Sequence, residues 1–421
     1  MATLKTMWVG QLIQHLRREI HITKRNSLHL FQSMYWDPKS ELVIPLPAHN
    51  PEYKYFRRFA YIGPSIVAPL LTWRCITLYT NPGNEDQFSI LVTHIALALT
   101  VVIIPYGWYI VSPQGLEKFI YCCNVTIRIG KRFQKLIPAQ PNLLAEKSIN
   151  HAFTKINLIA AIFFTQIDYI VPLLILLVCL STHSPAYTLL RSIYNFEQDG
   201  RLFAAIIQTA SGLMLSFSGL VALSGWALCI IITGFGLVVL YLWTLFIHPQ
   251  GDEVKAGKIL VGPYFSNRIL IHNSLKILTL LHEELCRGFI FHCLHHSCTV
   301  ALSSVALYYI LVSFSKGGHS AVLVVSASII IMGAMTLIEL FAIYFISNAV
   351  TASKQFLHRM SYIYGRHKYA SRVVKALLPN SMNIEFLNSL STLVNGIEMN
   401  YFLNYLERVT NTGIALLFTG K

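Results

Sequence analysis

Charge is scarce in this chain. Of its 421 residues only 12% are Asp, Glu, Lys or Arg, while 54% are hydrophobic. A soluble domain carries roughly 25% charged residues to keep its surface wetted, so a soluble fold is excluded. A cleavable leader is not expected either. The first 25 residues hold Arg17, Arg18, Lys24 and Arg25 among short apolar runs, with no continuous apolar core and no small-residue cleavage site. Glycine-rich phosphate loops and nucleophile elbows are missing, Gly130-Lys131 and Gly257-Lys258 being isolated pairs, so no enzymatic chemistry and no cofactor are expected. Without internal repeats or low-complexity tracts, residues 1–421 form one domain. None of the eight cysteines lies well inside a segment placed outside the cell, so reduced thiols are expected.

What the chain has is long apolar stretches, near 59–79, 88–111, 156–180, 203–247, 289–313, 320–347 and 398–418. A backbone in hydrocarbon must satisfy its own polar groups, so each stretch crosses as a helix of about 20 residues. The fourth is 45 residues long, about 67 Å as one helix, and either turns back near Ser224-Gly225 or Gly234–Gly236 or projects from the membrane. Charge decides. With a single crossing, the segments 1–58, 112–155, 248–288 and 348–397 hold 27 Lys/Arg and the opposite connections hold 4. A hairpin would divide them 18 to 13. Insertion keeps positive charge cytosolic, so one crossing is expected. The fold class is then an all-α membrane protein with seven transmembrane helices, a cytosolic N-terminus, an extracellular C-terminus and helical cytosolic extensions. It would be a multi-pass protein of the plasma membrane.

The net charge of +14 sits beside the spans, so the partner it implies is membrane lipid and not nucleic acid. Trp8, Leu12, Ile13 and Leu16 lie at helical spacing and predict an amphipathic helix on the inner leaflet. The sequon Asn124-Val125-Thr126 falls in a cytosolic segment and should carry no sugar.

The last stretch differs from the others. Glu398, Asn400, Asn404, Glu407, Arg408 and Asn411 crowd its first half. Asn400, Asn404, Glu407 and Asn411 step by three or four and share one face, which cannot face lipid. It lines a pore or meets a partner, with an apolar constriction beyond it that gates by dewetting. The alternative is an interfacial helix with Glu407 and Arg408 as a structural ion pair. His292, Cys293, His295, His296 and Cys298 form the one metal-like cluster. With no matching pair elsewhere, interfacial histidines are expected there and no metal.

Residues Val409–Phe418 resemble the terminal signature of arthropod gustatory and odorant receptors, which is Thr-Tyr, five apolar residues, then Gln-Phe. Thr410 and Phe418 match, while Asn411 and Leu417 replace the tyrosine and the glutamine, and Thr412 and Gly413 interrupt the apolar run. These departures indicate a divergent member. The pattern of spans, the overlong fourth helix and the basic run ending at Leu377-Leu378-Pro379 also resemble that family. The resemblance implies a ligand-gated cation channel acting as a chemosensory receptor, assembled as a homo- or hetero-tetramer. It would pass monovalent cations, with divalent ions a further candidate, and Ile414, Leu417 and Phe418 would form the gate. It also implies a small-molecule ligand in the outer half of the bundle. Candidates are Phe164, Gln166, Asp168 and Tyr169 on the third span, Gln208, Ser211 and Met214 on the fourth, and Ser326, Ser328, Met332 and Met335 on the sixth. Asp168 reads as a lone acid near mid-membrane, placed either to bind an amine or cation or to bond a neighbouring helix.

Two other classes compete. A G-protein-coupled receptor also has seven helices but needs the opposite orientation. A secondary transporter would use repeats or broken helices, and no repeat is present.

Overall fold

The computed structural model describes residues 2–26, 32–80, 87–136, 143–194, 196–248, 263–289, 291–316, 319–381 and 398–419. In chain order the elements begin with α1 (Ala2–Asn26), β1 (Met34–Asp37), β2 (Leu42–Pro45), α2 (Pro51–Thr80), α3 (Gln87–Val111) and α4 (Pro113–Leu136). Next come α5 (Leu143–Thr165), a π turn (Gln166–Ile170), α6 (Val171–Leu180), α7 (Pro185–Ile193), a 3-10 turn (Phe196–Asp199) and α8 (Arg201–Phe246). The rest are α9 (Pro263–Phe289), α10 (Phe291–Lys316), α11 (His319–Tyr364), α12 (Lys368–Lys375) and α13 (Tyr401–Thr419).

Local chemistry sets several boundaries. Asn50 caps α2, its Oδ1 accepting the Glu52 amide at 2.8 Å, while Pro51 takes the first helical position, where no N–H is needed. Ser112 accepts the Gly115 amide at 3.0 Å and so starts α4 directly after α3. Gly200 enters α8 at a φ of 117°, a conformation only glycine adopts without a Cβ clash.

Helices occupy all seven apolar stretches. Among the described residues five helical segments are long and apolar enough to cross a membrane: Pro51–Leu78, Asn150–Ile193, Arg201–Val221, His296–Phe314 and Val324–Tyr364. Gln87–Val101 and Gly236–Phe246 are shorter apolar helices. The polar first half of α13 keeps it below that hydropathy. The fourth stretch is one unbroken helix of 46 residues, with no turn at Ser224-Gly225 or Gly234–Gly236. α11 is equally long and also continuous.

At one end the helices run on into a body made of α4, the last turns of α8, α9, the second half of α11 and α12. Phe119, Phe133, Trp243, Leu275 and Phe356 are buried in it. Phe133 meets Trp243 edge-on at 5.1 Å between centroids, a favoured aromatic arrangement. Three histidines also sit there, His272 and His282 buried and His248 half-buried, and desolvation lowers the pKa of each to about 4. The His282 ring fills the space that a Cβ on Gly236 would need, so α8 and α9 touch there only because residue 236 is glycine.

A two-stranded hairpin departs from the all-helical expectation. β1 and β2 pair antiparallel, Met34 opposite Pro45 and Asp37 opposite Leu42. Asp37 closes the turn by accepting the Lys39 and Ser40 amides, both at 3.1 Å. Asn124 of α4 stands in for a third strand, accepting the Val43 amide at 2.9 Å and donating to its carbonyl at 2.8 Å. The sequon asparagine is therefore engaged in packing.

Candidate functional site

α13 has two unlike faces. Tyr401, Tyr405, Val409 and Gly413, one every four residues, are buried and pack against α10. The Tyr405 hydroxyl lies 2.8 Å from that of Ser303, and Ser304 Oγ lies 3.2 Å from the Val409 carbonyl oxygen. A Cβ on Gly413 would come within 2.9 Å of Leu307, so glycine sets how closely α13 and α10 approach.

The opposite face is bare. Asn400, Asn404, Glu407 and Asn411 are exposed, as are Ile414 and Phe418, the latter 77% exposed. Seven residues make about two helical turns, so Asn404, Asn411 and Phe418 align, and so do Asn400, Glu407 and Ile414. Leu417 is half-buried beside them. Glu407 and Arg408 do not pair. Arg408 donates instead to His296 Nε2 at 3.1 Å. Because arginine has only donors, Nε2 accepts and Nδ1 carries the proton toward Glu339 Oε1, 2.7 Å away. Thr299 donates to the other Glu339 oxygen at 3.1 Å. A polar chain thus joins α13, α10 and α11. The side chains of His292, Cys293 and His295 lie outside the described residues. Among the described residues no group of three metal-binding side chains exists.

Asp168 is not a lone acid. Its carboxylate meets Arg18 at 2.5 Å and Arg25 at 3.0 Å, both from α1. Pro172, four residues on, has no N–H for the Asp168 carbonyl; the helix widens there into the π turn, and Arg25 also donates to that carbonyl at 3.4 Å. Phe164, one turn before Asp168, is covered by the same helix. His15 stacks on its ring at 5.2 Å, and the Arg18 guanidinium sits over it at 4.8 Å. Asn157 donates to Gln11 at 3.1 Å. The N-terminal helix packs along α5 and α8, because Asp168 offers it two ion pairs and Ala227 an apolar seat for Ile22.

A cavity of about 620 Å³ opens between α2, α3, α6, α8, α10 and α11. Of the eleven expected ligand residues, only Ser326 and Met335 line it. Phe164 and Asp168 face α1, while Tyr169, 65% exposed, and Met214, 76% exposed, stand on the outside of the bundle. Gln166 is exposed and Met332 half-buried, neither lining the cavity. Gln208 caps α6, donating to the Leu180 carbonyl at 2.7 Å. Ser211 bonds back to the Gln208 carbonyl at 3.2 Å. The residues missed in the sequence are those of α2, α3 and α10 in the cavity wall and the arginines of α1. Pro172 four residues after Asp168, and tyrosines four apart in α13, were the available signals.

No protein-family model matches the chain, and no curated protein matches it in sequence. Among solved structures it is similar to the insect olfactory receptor OR5 from Machilis hrabei, with a TM-score of 0.55 at 12% identity. The match covers 96% of this chain and 99% of that one. The fold is that of an insect olfactory receptor. At so low an identity the likeness is one of architecture. It runs along nearly the whole of both chains, and this chain is a helical membrane protein.

Proposed function

We propose that this chain is one subunit of a ligand-gated cation channel that serves as a chemosensory receptor. The observation that carries the proposal is the pair of faces on α13. One face is docked on α10, and the other leaves Asn404, Glu407 and Asn411 exposed among the described residues. Intramembrane polar groups face a bundle interior or water, not acyl chains. Copies of the helix arranged around an axis, as in a tetramer, would give these side chains a water-filled conduit. Ile414, Leu417 and Phe418 would then form its apolar constriction. The charge distribution supports a reading with the body in the cytosol, the end of α13 outside and seven crossings. The ligand would occupy the cavity beside Ser326, whose walls border both α10, on which α13 rests, and α11. A ligand opens the channel only as far as it prefers the open state.

Expression in a cell line under voltage clamp tests this. Ligand-evoked cation current is expected, and Leu417→Gln should change its ionic selectivity. A strictly monomeric protein, giving no current to broad panels of volatile and tastant compounds, would overturn the proposal. The π turn beside a buried acid favours a transporter as the second reading, and substrate flux without current would establish that instead.

A further inference from the structure

The basic residues of α1 share one side of the helix. Arg17, Arg18, His21, Lys24 and Arg25 fall within an arc of about 120° at about 3.6 residues per turn. Leu16, Glu19, Ile20 and Ile22 occupy the rest of the circumference and are buried. The basic side is open. Arg17 and His21 are exposed, and the side chains of Arg18 and Arg25 stay 47% and 49% exposed beside Asp168.

α1 climbs along α5. Asn157 bonds Gln11, Phe164 meets His15 and Arg18, and Asp168 meets Arg18 and Arg25. Asp168 lies 12 residues beyond the start of its apolar stretch near 156. That is about 18 Å along the helix, past the middle of a hydrocarbon core about 30 Å thick. The basic face therefore rises from the inner interface to mid-bilayer level. The two acids beside it do not balance it. Asp168 and Glu19 supply at most two negative charges against the three guanidinium groups of Arg17, Arg18 and Arg25. Glu19 is turned to the back of the helix, and neither of its carboxylate oxygens has a hydrogen bond among the described residues. Arg17 and His21 meet no acid among the described residues. Cations at that depth are strongly disfavoured against acyl chains unless an anion or water reaches them.

A phosphate has the chemistry this face lacks. Guanidinium groups bind its oxygens bidentately, and an imidazole N–H donates a further bond. A soluble anion would have to shed its water to reach that level. A phospholipid headgroup is already held at the interface, and its chains need apolar surface. α5 provides it: Leu158, Ile162 and Tyr169 are exposed about a third of a turn round from Asn157, Phe164 and Asp168. Resting on the proposed orientation, with the N-terminus cytosolic, we propose that Arg17, Arg18, His21 and Arg25 bind the phosphate of an anionic phospholipid drawn from the inner leaflet.

Native mass spectrometry of the purified full-length protein in detergent tests this, by titration with phosphatidylglycerol or with phosphatidylcholine of the same acyl chains. Phosphatidylglycerol should bind tighter. Arg17→Gln should weaken it about fivefold and leave phosphatidylcholine unchanged. Adding His21→Gln should remove most of the remaining preference. Both side chains are exposed, so the melting temperature should stay at the wild-type value. Arg17→Lys keeps the charge and should keep the preference, which separates loss of charge from loss of fold. Arg366→Gln, exposed on the body, should bind as the wild type does. Equal affinity for the two lipids, or a preference that survives both substitutions on α1, overturns the proposal. Displacement of the lipid by equimolar inorganic phosphate assigns the face to a free anion and overturns it as well. The binding readout does not depend on which side the N-terminus faces or on any current. Failure of the lipid preference is therefore distinguishable from failure of the channel reading, seen as absent current, and of the orientation, seen as an N-terminal epitope reachable on intact cells.

Discussion

Tyr405 of the last helix meets Ser303 of α10 hydroxyl to hydroxyl at 2.8 Å, and both side chains are fully buried. With Gly413 set against Leu307 two turns further on, this contact fixes which side of α13 remains available to other subunits. Tyr405→Phe leaves Ser303 with a buried, unmatched hydroxyl and should lower stability by about 1–3 kcal/mol. Gly413→Val should cost a similar amount by overpacking and raise current in the absence of ligand. Thermal unfolding in detergent and leak current measure the two effects, and wild-type values in both variants would show that α13 does not dock on α10 this way.

Neighbouring residues on α13 should separate cleanly. Glu407 faces outward without a partner among the described residues, whereas Arg408 is tied to His296. Glu407→Gln is expected to shift the reversal potential under mixed-ion conditions while leaving the melting temperature unchanged. Arg408→Ala is expected to lower the melting temperature more than it changes selectivity. A reversal potential unaffected by Glu407→Gln would remove this side chain from the conduit.

The ion pairs at Asp168 join two segments far apart in sequence. Asp168→Asn leaves Arg18 and Arg25 facing each other without their carboxylate. Both arginine side chains are about half exposed, at 47% and 49%, so the expected loss is about 1–3 kcal/mol, less than for a fully buried pair. The reversed pair, Arg18→Asp with Asp168→Arg, should recover part of it. A double variant no more stable than the sum of its singles would argue against direct contact.

Acid should destabilise the body. His248, His272 and His282 have folded-state pKa values lowered to about 4 by burial, against 6.5 for the free side chain. Below about 6.5 the unfolded chain takes up protons that the folded one refuses. Stability is therefore fully present above that pH and falls on acidification toward about 4. Each histidine contributes at most about 1.4 kcal/mol per pH unit across the window. Unfolding of the purified protein followed against pH should show this slope, and His282→Gln should reduce it by about a third. A flat profile between neutral and mildly acid pH would mean that these rings are hydrated.

The apolar stretches were legible because hydrocarbon leaves helices as the sole solution for a lone crossing segment, and the continuity of α8 followed from where the lysines and arginines fall. The bare face of α13 was legible from the spacing of Asn400, Asn404, Glu407 and Asn411. The cavity was not, since its wall is built from leucine, isoleucine, phenylalanine and glycine, residues that look the same in sequence whether they face lipid, a neighbour or a void. Asp168 was found as a buried acid, but its partners lie 143 and 150 positions away, beyond any local pattern. The β1–β2 hairpin is too short for its alternation to stand out, and only the Asp37-Pro38 turn marks it.

α11 runs without interruption from His319 to Tyr364. Ser326 near one end borders the cavity, Glu339 near the middle joins the polar chain to α13, and Phe356 near the other end is wedged among body residues. A beam with no joint cannot bend locally to absorb a push. Filling the cavity must either tilt this beam about its midpoint or be resisted by everything packed against its far end, so the body sets the stiffness against which any occupant works.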